Sequence, residues 1–313
     1  MKNLSFSAPG SVILAGEYAM LFGKPAIASA VNFYATASCS QKTHTSEDKV
    51  TPLIKEEIKE YLRKRNLLNE EKSYTFQFAS DIPASDVFGY DDARTVVMVA
   101  LMLKKLSKKT FSHEEISTIS YQIEKKINKK ELGIHCTVST FGGLVYYRKE
   151  FEFLKNISSL NMKIPKTIEE NLFILDTGKA EESNEELENF VGKLYNTYTK
   201  KTESIFNEIE KTTKRLVVAM AKEDKNFFKE NIKRHERLLE DLGVVSEFTK
   251  RVIKDIEQFD ETKIIGNGGR KNRSGFLLSY CENEQELKKI IGKYKLSYFP
   301  FRQSVKGLEE KTI

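Results

Sequence analysis

Apolar and polar residues alternate along the first forty positions of the chain, and the spacing becomes helical beyond residue 53. Residues 4–40 are also rich in β-branched and aromatic side chains, which predicts strands joined by a hairpin near residues 23–25. Residues 74–80, "YTFQFAS", alternate in the same way and predict another strand. Between these segments, residues 53–68 predict a helix. Its apolar face would carry Leu53, Ile54, Ile58, Leu62 and Leu68.

Helices and strands also follow one another through the centre of the chain. Residues 92–106 predict a helix that is apolar on nearly all sides, which is typical of a buried helix. Residues 113–129 predict an amphipathic helix, and residues 137–149 predict a loop followed by a strand. The apolar face of the amphipathic helix would carry Ile116, Ile119, Ile123 and Ile127.

The second half of the chain is dominated by predicted helices. Residues 184–258 are mostly helical in pattern, with a break near residues 241–243. The other elements are a buried strand at 171–178, a strand–glycine loop–strand unit at 262–280, a helix at 283–293 and a strand near 295–301. Because strands cluster early and helices later, we predict an α+β fold in two lobes that divide near residues 150–170. The predicted domains are residues 1–160 and 161–313.

The composition is that of an ordinary soluble protein, with 313 residues of which 40% are hydrophobic and 31% charged. The three cysteines show no paired spacing, which argues against a disulfide framework or a zinc site and favours a cytoplasmic location. No segment is apolar enough to predict a membrane span or a signal sequence. The net charge of +6 comes without a basic stripe interleaved with aromatics, so we expect no nucleic-acid partner. Interleaved acidic and basic residues indicate a lysine-rich solvated surface, and the positive balance also suits anionic ligands such as phosphates.

Three glycine-bearing segments carry the candidate chemistry, at residues 8–17, 83–93 and 263–275. Glycine-rich loops next to helices can bind phosphate, because backbone N–H groups and the helix N-terminus favour anions. The first segment opens the stretch "APGSVILAGEYAMLFGKPAIASAV", and the third lies in "IIGNGGRKNRSGFLLSY". Together with "VSTFGGLVYY", "LFILDTGKAEES" and "LLEDLGVVSEFTKRVI", they resemble the GHMP kinases, and within that superfamily the mevalonate kinases. The tetrapeptide "GEYA" resembles phosphomevalonate kinases as well.

The resemblance implies a fold and a reaction. The fold is the two-lobed GHMP architecture, with an N-terminal α+β lobe, a C-terminal ferredoxin-like lobe, and ATP and substrate between them. The reaction is transfer of the γ-phosphate of ATP, with Mg²⁺, to a small mevalonate-like alcohol in isoprenoid biosynthesis. A homodimer is one option, because many relatives are dimers.

The main phosphate loop departs from the family pattern. The family has Pro-x-Gly-x-Gly-Leu-Gly-Ser-Ser-Ala-Ala where this chain has "PASDVFGYDDA". By resemblance, Gly89, Tyr90, Asp91 and Asp92 are cofactor-binding candidates, and Asp91 stands where a serine helps to hold Mg²⁺. One interpretation is a rebuilt metal site, since an aspartate can ligate Mg²⁺. The other is that both aspartates simply begin a helix, where carboxylates favour the macrodipole.

Two catalytic positions of the family are changed as well. Glu124 matches the glutamate that binds Mg²⁺ in mevalonate kinases, and His135 stands eleven residues later, where the family has its catalytic aspartate. Ser11 occupies the place of the lysine in the first motif. Histidine can act as a base near neutral pH, so His135 and Ser11 are the catalytic candidates. The alternative is that His135 is an ordinary packed or solvated residue.

The third glycine loop keeps the family pattern best. By resemblance Gly266, Gly268 and Gly269 are further cofactor-binding candidates, and the basic residues that follow could meet phosphate charge. The alternative is that this segment is a solvated loop tip. Glu17 and Tyr18 stand where mevalonate kinases commonly have Glu-His, which makes them substrate-binding candidates. For Glu17 the alternative is a structural carboxylate that satisfies backbone donors.

Several functions remain open at this point. The first is an enzyme, a mevalonate-kinase-like phosphotransferase with an altered site. The second is a catalytically inactive GHMP-fold homologue that binds a metabolite or acts as a regulator. The third is phosphomevalonate kinase or another enzyme of the mevalonate pathway. Because residues of one site act together, the loss of one can remove selection on the others, which favours an eroded or repurposed site.

Overall fold

A computed structural model describes residues 4–40, 50–69, 74–107, 109–129, 131–151 and 154–312. The chain forms two compact units. Unit 1 comprises residues 1–11, 29–143 and 304–313, and unit 2 comprises residues 12–28 and 144–303. The two domains predicted from the sequence, with their boundary at residue 160, group the chain differently, and that division stays a prediction.

The described helices and strands alternate through the chain as a mixed α+β fold. In order they are β1 (Leu4–Ala15), β2 (Ala26–Ser40), α1 (Thr51–Arg63), β3 (Thr75–Ser80), α2 (Tyr90–Leu106), α3 (His113–Ile127), α4 (Ile134–Phe141), β4 (Leu144–Phe151), β5 (Leu154–Leu160), α5 (Lys166–Glu169), β6 (Leu172–Asp176), α6 (Asn184–Thr197), α7 (Thr199–Ala221), α8 (Lys225–Asp241), α9 (Glu247–Ile256), β7 (Glu261–Ile265), β8 (Phe276–Tyr280), α10 (Glu284–Tyr294), β9 (Ser297–Pro300) and β10 (Glu309–Thr312). Short 3-10 turns lie at Ala19–Phe22 and Asp86–Phe88. Within the described ranges, no helix is long and apolar enough to span a bilayer.

Unit 1 packs helices around the apolar helix α2. Strand β1 lies between β10 and β2, with Phe6 opposite Glu310, and β3 pairs antiparallel with β2. Helix α2 packs against α1, α3 and α4. It is buried on all sides, as its sequence predicts, and its central residues Val96–Leu103 are at most 2% exposed. Because α2 begins at Gly89, the fold fixes the second glycine segment against this core.

Unit 2 contains a four-stranded antiparallel sheet with the strand order β7-β8-β6-β9. In chain order, β6, the helices α6–α9, the hairpin β7–β8, helix α10 and β9 form a β-α-β-β-α-β arrangement. This connectivity and strand order are those of a ferredoxin-like unit, as the resemblance implied. Helices α7 and α8 pack on each other, and α8 and α9 both pack on β7. The third glycine segment is the turn between β7 and β8.

Most predicted elements are present, and the main error lies at residues 137–149. The predicted loop there is wrong up to Phe141, because Ile134–Phe141 is helix α4. Two threonines made this segment look unlike a helix. Their hydroxyls donate to carbonyls one turn back, from Thr137 to Gly133 at 2.7 Å and from Thr140 to Cys136 at 2.7 Å, which lets them sit inside a helix.

Helix ends and their apolar faces show smaller errors. Helix α1 ends at Arg63, so Leu68 lies outside it, in a single antiparallel bridge with Ser107. Leu53 is 46% exposed and Ile127 is 49% exposed, so neither belongs to the buried face that was predicted for its helix. The sequence pattern does not predict strand β10, because "LEEKTI" is short and half of its residues are charged. Pairing with β1 stabilises this strand, which its own sequence pattern does not favour.

Candidate functional site

Ser11, Gly89 and His135 meet in unit 1. The hydroxyl of the buried Ser11 lies 2.8 Å from Nδ1 of His135. A Cβ atom at Gly89 would lie 2.6 Å from Ser11 Oγ and 2.9 Å from His135 Nδ1, so the backbone of Gly89 is packed against both side chains. Three segments that are far apart in the sequence therefore come together at one point.

Two glycines make this close packing feasible. A Cβ atom at Gly10 would lie 2.9 Å from the carbonyl oxygen of Phe88, so the turn Asp86–Phe88 packs directly on β1. Gly89 ends that turn and precedes α2 with φ +58°, a left-handed conformation that glycine adopts without a steric penalty. A side chain at residue 89 would strain the backbone and displace the Ser11–His135 pair.

His135 lies in the first turn of α4 and is neutral at pH 7. Burial lowers the pKa of its imidazole, and the carboxylates of Glu131 and Asp86 only partly oppose this effect. A neutral imidazole has one protonated and one unprotonated nitrogen, so it can accept a proton. Because Nδ1 faces Ser11, Nε2 is the nitrogen left for chemistry.

Asp91 and Asp92, both in the first turn of α2, have different surroundings. The Asp91 side chain is 60% exposed. Asp92 is buried and accepts a hydrogen bond from the Cys136 thiol, with Sγ 3.1 Å from Oδ1. Burial and the nearby carboxylates raise the pKa of Asp92 well above its usual range. The raised pKa favours the neutral form of Asp92, so the negative charge at the positive end of α2 is that of Asp91, which disfavours a phosphate there unless a cation intervenes.

Tyr90 and Arg94 pack on the same aromatic ring. Tyr90 meets Phe78 edge to face with ring centroids 5.8 Å apart, and the Arg94 guanidinium lies 5.7 Å from the Phe78 centroid. Arg94 Nη1 is also 3.8 Å from Asp91 Oδ1. The arginine thereby offsets part of the negative charge at this helix end.

Glu124 is a buried carboxylate on α3. It accepts a hydrogen bond from the Thr95 hydroxyl of α2, and burial raises its pKa despite that bond. In the described part of the chain, no group of three or more His, Cys, Asp and Glu side chains could hold a metal ion. Mg²⁺ at nucleotide sites usually takes only one or two protein carboxylates besides phosphate oxygens. Glu124, whose pKa the charge of Asp91 also raises, is compatible with such a partial ligand set.

The glycine loop of unit 2, residues 266–269, is tightly built. Gly266 and Gly268 have φ of +76° and +66°. A Cβ atom would lie 2.3 Å from the Val244 carbonyl oxygen at Gly268 and 2.0 Å from the Arg273 carbonyl oxygen at Gly269. Real Cβ atoms do not approach backbone this closely, so only glycine fits either position.

The basic residues after this loop are held by aromatic rings. The guanidinium of Arg270 lies 3.6 Å from the centroid of Phe190, and that of Arg273 lies 3.5 Å from the centroid of Phe248. Stacking of this kind leaves the guanidinium edge able to donate hydrogen bonds. Lys271 is exposed.

Glu17 and Tyr18 are buried in unit 2 and have protein partners. Glu17 accepts a hydrogen bond from the ammonium group of Lys263 and lies 2.9 Å from Nε2 of His235. The Tyr18 phenol donates to the carbonyl of Asn267 in the glycine loop. Burial raises the pKa of Tyr18, so the phenol keeps its proton. Their predicted role in substrate binding stays a prediction.

Comparisons with known proteins indicate which protein family this chain resembles. No protein-family model matches the chain. The mevalonate kinase of Thermococcus sibiricus is 30% identical over 176 residues, which cover 47% of this chain and 53% of that enzyme. The chain thus spans about half the length of this relative. The mevalonate kinase of Archaeoglobus fulgidus is 24% identical over 84% of this chain and 88% of the enzyme.

Solved structures match over nearly the whole chain. The Methanococcus jannaschii mevalonate kinase has a TM-score of 0.77 at 19% identity and covers 96% of this chain and 98% of its own. The Streptococcus pneumoniae phosphomevalonate kinase in complex with phosphomevalonate and AMPPNP has a TM-score of 0.71 at 14% identity and covers 99% of both chains. The chain has the GHMP kinase fold. Together with the sequence similarity to mevalonate kinases, this supports membership of the GHMP kinase superfamily.

Sequence reasoning missed the buried polar residues behind the glycine loop of this GHMP kinase fold. Lys263 is fully buried, as are His235 and Glu236 of α8. Glu236 accepts a hydrogen bond from the backbone N–H of Ile264 at 2.7 Å, and burial raises its pKa to about 8. One feature of the sequence does indicate buried polar residues here. A single lysine interrupts the apolar strand "TKIIG", and such a lysine needs a buried partner.

Proposed function

We propose that this protein is a phosphotransferase that transfers the γ-phosphate of ATP to a small alcohol of the mevalonate class. The observation that carries the proposal is the glycine loop at residues 266–269. Its backbone is closed to any side chain at Gly268 and Gly269, and among the described residues the N–H groups of Gly266 and Asn267 donate no hydrogen bond outside the strands. Consecutive free N–H groups in such a turn form a concave site for phosphate oxygens.

His135 is the proposed base in this reaction, and Ser11 is the residue that orients it. For Nε2 to accept the proton of an alcohol, Nδ1 must carry the ring proton and donate it to Ser11 Oγ, 2.8 Å away. The burial of Ser11 keeps water from competing for that hydrogen bond. Phosphoryl transfer through a loose transition state needs only modest base catalysis, so a neutral imidazole suffices.

Mg²⁺ and the substrate follow from the same proposal. Glu124 and Asp91 are the residues that would hold Mg²⁺, which when bound supplies charge stabilisation to the transferring phosphoryl group. Mevalonate is the first substrate to test, because mevalonate kinases are the matched relatives. Phosphomevalonate is the alternative substrate, since a phosphomevalonate kinase shares the fold. We place the reaction in isoprenoid biosynthesis in the cytoplasm.

A second candidate function is ligand binding without turnover. The observation that favours it is the first turn of α2, where Asp91 and Asp92 stand and Asp92 is buried. The Asp91 carboxylate repels a triphosphate unless a cation screens it, and the buried Asp92 leaves no phosphate-binding serine at this helix end. A protein of this kind would bind ATP or a metabolite through the intact glycine loop and release no ADP.

Calorimetry with ATP and Mg²⁺, followed by ADP release with mevalonate or phosphomevalonate, tests both candidates. The matched variants are His135→Gln and, as a control on an exposed histidine, His113→Gln. We expect wild type to bind ATP and release ADP, His135→Gln to bind ATP with at least tenfold slower release, and the control to behave as wild type. ATP binding without ADP release would favour the second candidate, and no ATP binding would refute the first candidate and the ATP-binding form of the second.

A further inference from the structure

A buried polar network lies behind the glycine loop. Glu17 and Lys263 are 2% and 0% exposed, and their side chains pair. The Lys263 ammonium also donates to the backbone carbonyl of Ile264 at 2.7 Å, two residues before Gly266. The Glu17 carboxylate thereby fixes the strand that enters the loop. His235 flanks the pair, with Nδ1 3.1 Å from the Thr212 hydroxyl.

The neighbouring residue, Tyr18, holds the loop itself. Its phenol donates to the carbonyl of Asn267, in the middle of the loop. Tyr18 has φ +58° and ψ −47°, a backbone conformation that a bulky residue adopts only under constraint. Strained residues of this kind persist where the surrounding structure requires their position, and they concentrate at functional sites.

The Tyr18 hydrogen bond sets the direction of a loop N–H group. In a trans peptide the carbonyl of one residue and the N–H of the next point in opposite directions. A carbonyl of Asn267 held by Tyr18 therefore turns the N–H of Gly268 away from Tyr18. The following N–H, of Gly269, is already used by the Val244 carbonyl at 2.9 Å. Rotation of the Asn267–Gly268 peptide would break the turn at residues 266–267 and change where the loop N–H groups point.

We propose that Tyr18 and the Glu17–Lys263 pair are positioning residues that hold the glycine loop in its phosphate-binding conformation. The inference rests on the proposed function of the loop. It gives Glu17 and Tyr18 a role through the loop backbone in place of direct contact with the alcohol. One dipeptide thus supports the loop at two points, through Lys263 before it and through Asn267 within it.

The variant Tyr18→Phe tests this with little change in packing, because it removes only the phenol oxygen. Tyr280→Phe is the matched control. Tyr280 is also fully buried, and its phenol donates to Glu282 at 2.9 Å, at the opposite end of the β7–β8 hairpin from the loop. Two quantities are measured for each: the Kd for Mg²⁺–ATP and the hydrogen exchange rate of the Gly269 amide, which is bonded to the Val244 carbonyl.

We expect Tyr18→Phe to weaken ATP binding about five- to tenfold, to raise KM for ATP by the same factor with kcat little changed, and to speed amide exchange in the loop. The control should leave all of these at the wild-type values. Wild-type Kd and wild-type exchange in Tyr18→Phe would overturn the positioning role, and so would faster exchange with an unchanged Kd.

The two proposals can fail separately. If wild type binds no ATP and Tyr18→Phe still speeds loop exchange, the proposed function fails and the support of the loop by Tyr18 stands.

A second variant tests the ion pair without leaving a buried charge. The double change Glu17→Gln with Lys263→Met should give the same ATP defect as Tyr18→Phe, and a wild-type Kd in that folded variant would remove the pair from the proposal.

Discussion

Replacement of Glu17 by glutamine should lower the free energy of unfolding by about 3 kcal/mol at pH 7. Glu17 is 2% exposed, and burial alone would raise its pKa. Its partners outweigh that effect: Lys263 above all and His235 as well bring the pKa from 4.5 to about 2. A shift of this size corresponds to about 3 kcal/mol of stability in the ionised state. Breaking a buried pair on one side costs a similar amount, about 3–5 kcal/mol.

The same pKa shift predicts the pH dependence of stability. Because the folded-state pKa lies below the unfolded-state value, the contribution of Glu17 is complete above about pH 4.5 and is lost as the pH falls towards 2. Burial also lowers the pKa of the neighbouring His235 imidazole, which favours its neutral form. The difference between wild type and Glu17→Gln should therefore be full at pH 7 and at pH 5, and smaller at pH 3.

Urea unfolding at these three pH values measures the effect. The set of proteins is wild type, Glu17→Gln, Lys263→Met and the double variant. Each single change leaves one buried polar partner uncompensated, whereas the double change removes both, so the double variant should be more stable than either single variant. A loss below 1 kcal/mol in Glu17→Gln, or a double variant whose loss equals the sum of the singles, would refute the reasoning.

Three further predictions concern substitutions at Ser11 together with His135, at Gly89 and at Glu236. Ser11→Lys alone should destabilise the protein because it buries an ammonium group, whereas Ser11→Lys with His135→Asp should recover stability through an ion pair and raise ADP release; a folded double variant without that gain would contradict the expectation that a lysine–aspartate pair can act at these positions. Gly89→Ala should cost about 1–3 kcal/mol in thermal unfolding, since φ is +58° and a Cβ atom would lie 2.6 Å from Ser11 Oγ, while Gly192→Ala on the open face of α6 should be neutral or stabilising. Glu236→Gln should be more stable than wild type at pH 8 and equal to it at pH 4, because a folded-state pKa of about 8 makes wild type lose stability as the pH rises from 4.5 to 8; equal melting temperatures at both pH values would argue against it.

Local sequence pattern predicted the fold well where one physical signal dominated. Helix α2 is apolar over most of its length and lies in the core, and the alternation of residues 74–80 became strand β3. The local pattern failed where hydrogen bonds to other residues determine the secondary structure. The threonines of α4 bond back to their own helix, and β10 exists through its pairing with β1. Neither effect is visible in a window of a few residues.

The family resemblance predicts Ser11 and His135 as candidate site residues, and it does not predict the residues that support the glycine loop. Ser11 and His135 were named for the residues that they replace, and they lie within hydrogen-bond distance. The partners of Glu17 could not be predicted, because Lys263 is 246 residues away in sequence and only the folded chain brings them together. A buried lysine in a strand indicates that some carboxylate must pair with it, without indicating which one.

The two units differ in how freely their site residues can change. At Gly268 and Gly269 a Cβ atom would meet backbone at 2.3 and 2.0 Å, so no substitution fits without moving the chain. The Ser11–His135 contact is between side chains, where a neutral hydrogen-bonded pair can replace the lysine and aspartate that the family has at these places. Independent erosion at two positions would not be expected to leave matched partners 2.8 Å apart. The retained contact therefore favours a coupled replacement, and we expect chemistry at His135 to differ from the family more than nucleotide binding at the glycine loop does.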